Sequence, residues 1–135
     1  MKITVDTNIL ISATFWYGDS NEIIEKAESK EFELILSPEI IQEYSEVLNY
    51  KEIQDKIRNK NLEMRKSVEK ITAISTIVQS TQKVEVIKDD PDDNQVLECA
   101  KAGNVDYIIT IGNNLNFRMF EIIVRLFPNK QITLE

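Results

Sequence analysis

Lys2–Ser12 reads KITVDTNILIS, and the way this stretch divides decides the fold. Ile3 and Val5 make a short β-branched strand, Asp6-Thr7-Asn8 stops it, and Ile9, Leu10 and Ile11 begin a second apolar run. The strand therefore delivers Asp6 and Asn8, two residues apart, to its own carboxyl end. In an open parallel α/β sheet that edge borders the crevice in which ligands sit. The same residues allow a plainer reading, with Asp6 ending a strand and Asn8 capping a helix, because both types favour turns and N-caps. The rest of the chain supplies more carboxylates at similar junctions, which favours a site.

Working outward, Ser12–Asp19 (SATFWYGD) has the look of a loop or a frayed helix start, with Trp16 and Tyr17 packed at the core edge. Ser20–Ser29 forms a helix, since Ile23, Ile24 and Ala27 share one stripe and charged residues take the other. Phe32–Leu36 (FELIL) is strand-like and ends at Ser37-Pro38, a serine N-cap followed by proline at the first helical position. The helix that follows, Pro38 to about Leu48, buries Ile40, Ile41, Tyr44, Val47 and Leu48, and carries Glu43 among them. Glutamate on a helix is usually solvated, and position alone does not settle Glu43. Lys51–Lys60 is a charged helical piece, and Asn61–Val78 continues as a long amphipathic helix through Val68, Ile71, Ile74 and Ile77, so the two form a helical hairpin on one flank.

Val84–Ile87 reads as the next strand. After it come four aspartates in five residues, Asp89, Asp90, Asp92 and Asp93, around a turn at Pro91, and then a helix that Gly103 ends. One aspartate serves as N-cap and others are solvated, but four exceed what capping needs. Asp106–Thr110 is a buried strand running into Gly112-Asn113-Asn114, a helix follows over Phe117–Phe127, and Gln131–Leu134 is a last strand. Strands alternating with helices imply right-handed crossovers and a mainly parallel sheet of four to five strands covered on both faces. Polar residues then gather at one edge: Asp6 and Asn8, the Asp90–Asp93 group, and Asn113 with Asn114.

The composition narrows the chemistry. The chain has 135 residues, enough for one domain with a single core, and no apolar run long enough to span a membrane. With its single cysteine, Cys99, read as a small buried hydrophobe, the expectation is a single-domain cytoplasmic protein. There is no histidine, so Ser-His and Cys-His catalysis and nearly all zinc chemistry are excluded, and any reaction runs on carboxylates. A net charge of −7 argues against holding nucleic acid through a broad basic face; a carboxylate cluster that binds divalent metal would lower the formal charge and reverse the local field. Crowded carboxylates repel one another, and Mg²⁺ or Mn²⁺ relieves this while taking oxygen ligands and substrate phosphates. Such an ion lowers the pKa of a bound water and orients it for attack on a phosphodiester.

Four strings together, VDTNILISA, LSPEIIQEYSEVL, DPDDNQVLECA and AGNVDYIIT, resemble a PIN domain, and more narrowly the VapC-like PIN toxin components of bacterial and archaeal toxin–antitoxin systems. They occur in order over nearly the whole chain. The resemblance implies a three-layer α/β/α sandwich and a metal-dependent ribonuclease holding Mg²⁺ or Mn²⁺. Carried over residue by residue, it implies Asp6 and Asp93 as metal ligands, Glu43 as ligand or water-orienting base, and Asn8 as a hydrogen-bonding positioner, with Asp90 and Asp92 as helpers. It also implies an RNA substrate, a cognate antitoxin and a homodimer, for which Trp16, Tyr17 and Phe120 are candidate contacts. RNA grip falls to local cations such as Lys51, Lys56 and Arg58.

One departure stands out. After the Ile108-Ile109 strand the family usually reads threonine, glycine, acid, whereas this chain reads Thr110-Ile111-Gly112-Asn113-Asn114 and has no carboxylate in any alignment. A one-metal site or a weakened enzyme is expected. The competing reading is a PIN-fold interaction module that binds antitoxin or RNA without cutting. A third reading, Asp6-Thr7-Asn8 as a damaged aspartyl-phosphate motif, would want an aspartate at position 8.

Overall fold

The computed structural model describes residues 1–15, 19–79, 91–110 and 133–134. In chain order the elements are β1 (Lys2–Val5), α1 (Thr7–Phe15), α2 (Asp19–Glu28), β2 (Glu33–Leu36), α3 (Pro38–Leu48), α4 (Lys51–Asn59), α5 (Met64–Ile74), β3 (Ser75–Ile77), α6 (Pro91–Ala102), β4 (Tyr107–Thr110) and β5 (Thr133–Leu134). The strands form one sheet in the order β3-β2-β1-β4-β5, with every pairing parallel. Successive residues of a strand point to opposite faces. Ile3, Thr4 and Val5 are all buried, as are Leu34, Ile35 and Leu36, so both faces are covered and the architecture is a three-layer α/β sandwich.

From β1 the chain steps outward through β2 to β3, then returns to place β4 on the other side of β1. The strand order thus reverses between β1 and β4, and in open α/β sheets the crevice beyond the strand ends at such a reversal is the ligand position. The register Val5↔Ile109 brings Thr110 level with Asp6, and the register Ile3↔Leu34 does the same for Ser37 on the other side.

The third strand differs from expectation. The helix expected over Asn61–Val78 stops at Ile74, and Ser75–Ile77 is an edge strand paired in parallel with Leu34–Leu36. Ile71, Ile74 and Ile77 keep a helical period, but Ile74–Val78 is largely β-branched, and the edge of β2 offers it backbone partners. Val78 N–H donates to Leu36 O at 2.9 Å and the Thr76 hydroxyl to Glu33 Oε1 at 2.8 Å. The strand expected at Val84–Ile87, the helix at Phe117–Phe127 and the aromatics Trp16, Tyr17 and Phe120 lie outside the described residues. Pro91 is the first residue of α6 instead of a turn, a position where its missing N–H costs nothing. Likewise Ser12–Phe15 completes α1 instead of forming a loop.

Three helices end without glycine in the left-handed position. Lys30, Asn61 and Asn104 take φ of 63°, 53° and 48°, each with the paired backbone bonds of a Schellman ending, such as Val105 N–H to Ala100 O at 3.1 Å and Asn104 N–H to Lys101 O at 3.2 Å. Gly103, expected to stop α6 by its conformational freedom, serves close packing instead. A Cβ there would lie 2.5 Å from Ile35 Cγ2. At the C-terminus of α1, which has no basic residue in its own last turn, the Lys60 ammonium donates to Phe15 O.

Cys99 is the small buried hydrophobe expected, held between Thr4 Oγ1 at 3.6 Å and Ile35 O at 3.7 Å. Burial pushes its thiol up to about 11, from 9.0, against the lowering effect of the Thr4 hydrogen bond. The fold therefore favours the neutral thiol. Its contribution is complete below pH 9 and is lost as pH rises toward 11; two units correspond to about 3 kcal/mol. Unfolding free energy measured by urea titration is expected to fall across pH 9–11, and Cys99→Ala is expected to flatten that fall.

Candidate functional site

Among the described residues, Asp6 and Glu43 are the predicted carboxylates near the carboxyl edge of the sheet. Asp6 follows the last residue of β1 and is half-buried. Its Oδ1 accepts from Ile9 N–H at 3.0 Å, so Asp6, and not Asn8, is the N-cap of α1. A carboxylate there also meets the positive end of the helix. The chain turns helical at Thr7, which removes the alternation that would have set Asp6 and Asn8 side by side. Asn8 is the second residue of α1 and is exposed.

Glu43 arrives from α3. Ser37 caps that helix by accepting Ile40 N–H at 3.3 Å, with Pro38 behind it, and Ile40, Tyr44 and Leu48 are fully buried along its inner stripe. This fixes Glu43, half-buried, on the shoulder of the stripe. The Thr7 hydroxyl, itself on a buried residue, donates to Glu43 Oε2 at 2.7 Å. Residue 7 thus ties the α3 carboxylate to the start of α1, one residue from Asp6. A hydroxyl donating to an ionised carboxylate stabilises the charged form and fixes its orientation.

The predicted Asp92 and Asp93 fall on α6, which packs against β1, β2 and α3. Asp92 and Asp93 occupy its first turn, at the positive helix end. Their side chains, together with Asp90, Asn113 and Asn114, lie outside the described residues; Thr110 closes β4. Among the described residues no group of three or more His, Cys, Asp or Glu side chains is arranged as a metal cage. The described part of the site is Asp6, Thr7 and Glu43. All its ligating atoms are hard oxygens, and Mg²⁺ and Mn²⁺ need only one or two protein carboxylates when waters and phosphates complete the shell, so the donor set fits such an ion.

Sequence reasoning missed Thr7, Tyr50 and Gln95. Thr7 lies inside the DTN string, where its neighbours drew the attention. Tyr50 and Gln95 line, with Glu39, Gln42, Glu43 and Glu46, a cleft of about 190 Å³ between α3 and α6. A larger cavity, about 600 Å³, lies away from this edge between α1, α2 and α5, and Asp6, Glu43 and α6 contribute nothing to its lining. The cations suggested for RNA grip, Lys51, Lys56 and Arg58, are all exposed on α4, which packs on α3. No helix among the described residues is long and apolar enough to cross a membrane.

Comparison with known proteins adds three findings. A family model described as PIN domain matches residues 2–114. No curated protein matches the chain. Among solved structures, the chain is similar to VapBC2 from Rickettsia felis, determined bound to a DNA fragment from its promoter, with a TM-score of 0.59 and 16% identity, covering 100% of this chain and 99% of that one. At that identity the likeness is one of fold.

Proposed function

The chain belongs to the PIN domain family, and from that premise we propose that it is a Mg²⁺- or Mn²⁺-dependent endoribonuclease, one PIN domain over residues 1–135, acting as the toxin of a toxin–antitoxin pair. The observation that carries the reading is the Thr7–Glu43 hydrogen bond, which ties a carboxylate from α3 to the residue that follows Asp6, next to the strand-order reversal. The toxin–antitoxin assignment leans on the fold it shares with VapBC2, and the partners that follow are a cognate antitoxin and a second copy of the chain.

In this reading Asp6 and Asp93 would hold the metal, with Glu43 as a further ligand or the base that orients water. Bound there, the metal would supply an acidified water and neutralise charge on the phosphodiester. The chain's own residues prepare for that. Asp6 keeps Oδ1 on Ile9 N–H, which anchors the carboxylate at the start of α1. Thr7 donates to Glu43 Oε2 and so restrains the orientation of that carboxylate. Asn8, exposed in the first turn of α1, is the hydrogen-bonding positioner.

The absence of an acid over residues 110–114 favours a site with one tightly held ion and gives the second reading, a binding module without catalysis. A mixed pool of single-stranded and structured RNA separates the two. Cleavage that needs Mn²⁺ or Mg²⁺ and stops in EDTA is the expected result, and no cleavage by folded protein in either metal would favour the module.

A further inference from the structure

The cleft between α3 and α6 sits directly beside Glu43, yet nothing in the proposed chemistry uses its other lining residues. Two of them are unusual. Tyr50, the N-cap of α4, is 55% exposed and its side chain makes no capping hydrogen bond, although its backbone is held firmly: Tyr50 O accepts from Ile53 and Gln54 N–H at 2.9 and 2.8 Å. Gln95, on the second turn of α6, has its carboxamide oxygen fully buried and, among the described residues, without a hydrogen-bond partner. An orphaned buried acceptor is unfavourable, and few persist in native structures without a reason. The terminal torsion of glutamine is broad, so turning the amide to present that oxygen to a ligand in the cleft would break no hydrogen bond at it.

Resting on the ribonuclease reading, we propose that this cleft is a nucleobase subsite, in which Tyr50 stacks on one base of the RNA and Gln95 accepts a hydrogen bond from that base's edge. Single-stranded RNA is recognised in this way, by bases stacked on aromatic rings and read along their hydrogen-bonding edges. The lining also selects the base. Glu39, Glu43 and Glu46 offer acceptors only, and Gln42 already donates to Glu46 Oε1 at 3.1 Å. Such a wall fits a base that presents adjacent N–H donors, and guanine, through N1–H and its N2 amino group, is the RNA base that does. Uracil has one N–H between two carbonyl oxygens, and those oxygens would face carboxylates. Lys51 follows Tyr50 directly and is exposed, a cation available for the backbone phosphate.

The test uses the full chain, short labelled uridine oligonucleotides carrying one guanosine or one inosine, and Ca²⁺ in the binding buffer. Fluorescence anisotropy is expected to show tighter binding to the guanosine oligonucleotide. Tyr50→Ala is expected to weaken it about fivefold to a hundredfold, the span that stacking on one ring supports. Gln95→Met is expected to weaken it about fivefold and to leave the melting temperature unchanged or raised, because an unpaired acceptor is removed. Binding that ignores both substitutions, equal binding of guanosine and inosine, or a lower melting temperature in Gln95→Met would each overturn the subsite. RNA bound with the expected dependence but left uncut in Mn²⁺ would sink the ribonuclease reading and leave the subsite standing.

Discussion

Asp6→Asn is expected to fold as the wild type does and to lose RNA cleavage on the order of 10²–10³-fold or more. Asp6 has two separable tasks. Its Oδ1 caps α1 through Ile9 N–H at 3.0 Å, and asparagine, with a carbonyl oxygen in the same place, is as good an N-cap as aspartate. The second task, negative charge at the strand-order reversal, passes to no neighbour when the side chain becomes neutral. Asp6→Ala removes both, so it adds a stability loss of about 1 kcal/mol to the same loss of activity. Melting curves and cleavage rates on the three proteins check this. If Asp6→Asn cuts RNA as fast as wild type, Asp6 is a helix cap and nothing more.

Tyr44→Ala carries the largest expected stability effect, about 3–5 kcal/mol, the range for truncating a buried aromatic side chain. Tyr44 is fully buried and is the bulkiest such side chain among the described residues. Its hydroxyl also meets the Thr14 hydroxyl, tying α3 to α1, and burial holds its pKa above the usual tyrosine value. Since most domains are stable by only 5–15 kcal/mol, a loss of this size leaves a marginal protein. Tyr44→Phe keeps the packing and gives up only the hydroxyl, and because Thr14 still donates to Leu10 O at 2.8 Å the expected cost is about 1 kcal/mol. Glu43 rides on the same helix turn, so the alanine variant is also expected to lose orientation at the site. Urea denaturation of both variants separates packing from hydrogen bonding.

The elements that the sequence announces are those whose signals are local. The helix Pro38–Leu48 is legible because Ser37-Pro38 marks its start and its apolar residues mark its face, of which Ile40, Tyr44 and Leu48 are buried and Ile41 and Val47 half-buried. β1 and β2 are equally plain, as short apolar runs cut off by polar residues. β3 is different. Ser75–Ile77 continues the period of the helix before it, and only the free edge of β2, a non-local partner, makes it a strand. At the site, Asp6 and Glu43 stand out as carboxylates in apolar surroundings. Their connection does not, because Thr7–Glu43 spans 36 positions in the chain and follows from α3 packing on α1. The position of Asn8 on α1 is not legible for a related reason: strand alternation from Ile3 and Val5 extends to residue 8 in the sequence, whereas Asp6 already caps a helix that starts at Thr7.

The central claim is that this sheet edge is a divalent-metal centre built on Asp6. Electron paramagnetic resonance of Mn²⁺ titrated into the intact protein measures that directly, by the loss of the free-ion signal. The account expects one tightly bound ion per chain in the wild type and its disappearance in Asp6→Asn, with both proteins folded. Wild-type protein that leaves the Mn²⁺ signal free, or Asp6→Asn that binds Mn²⁺ as tightly as wild type, would contradict it.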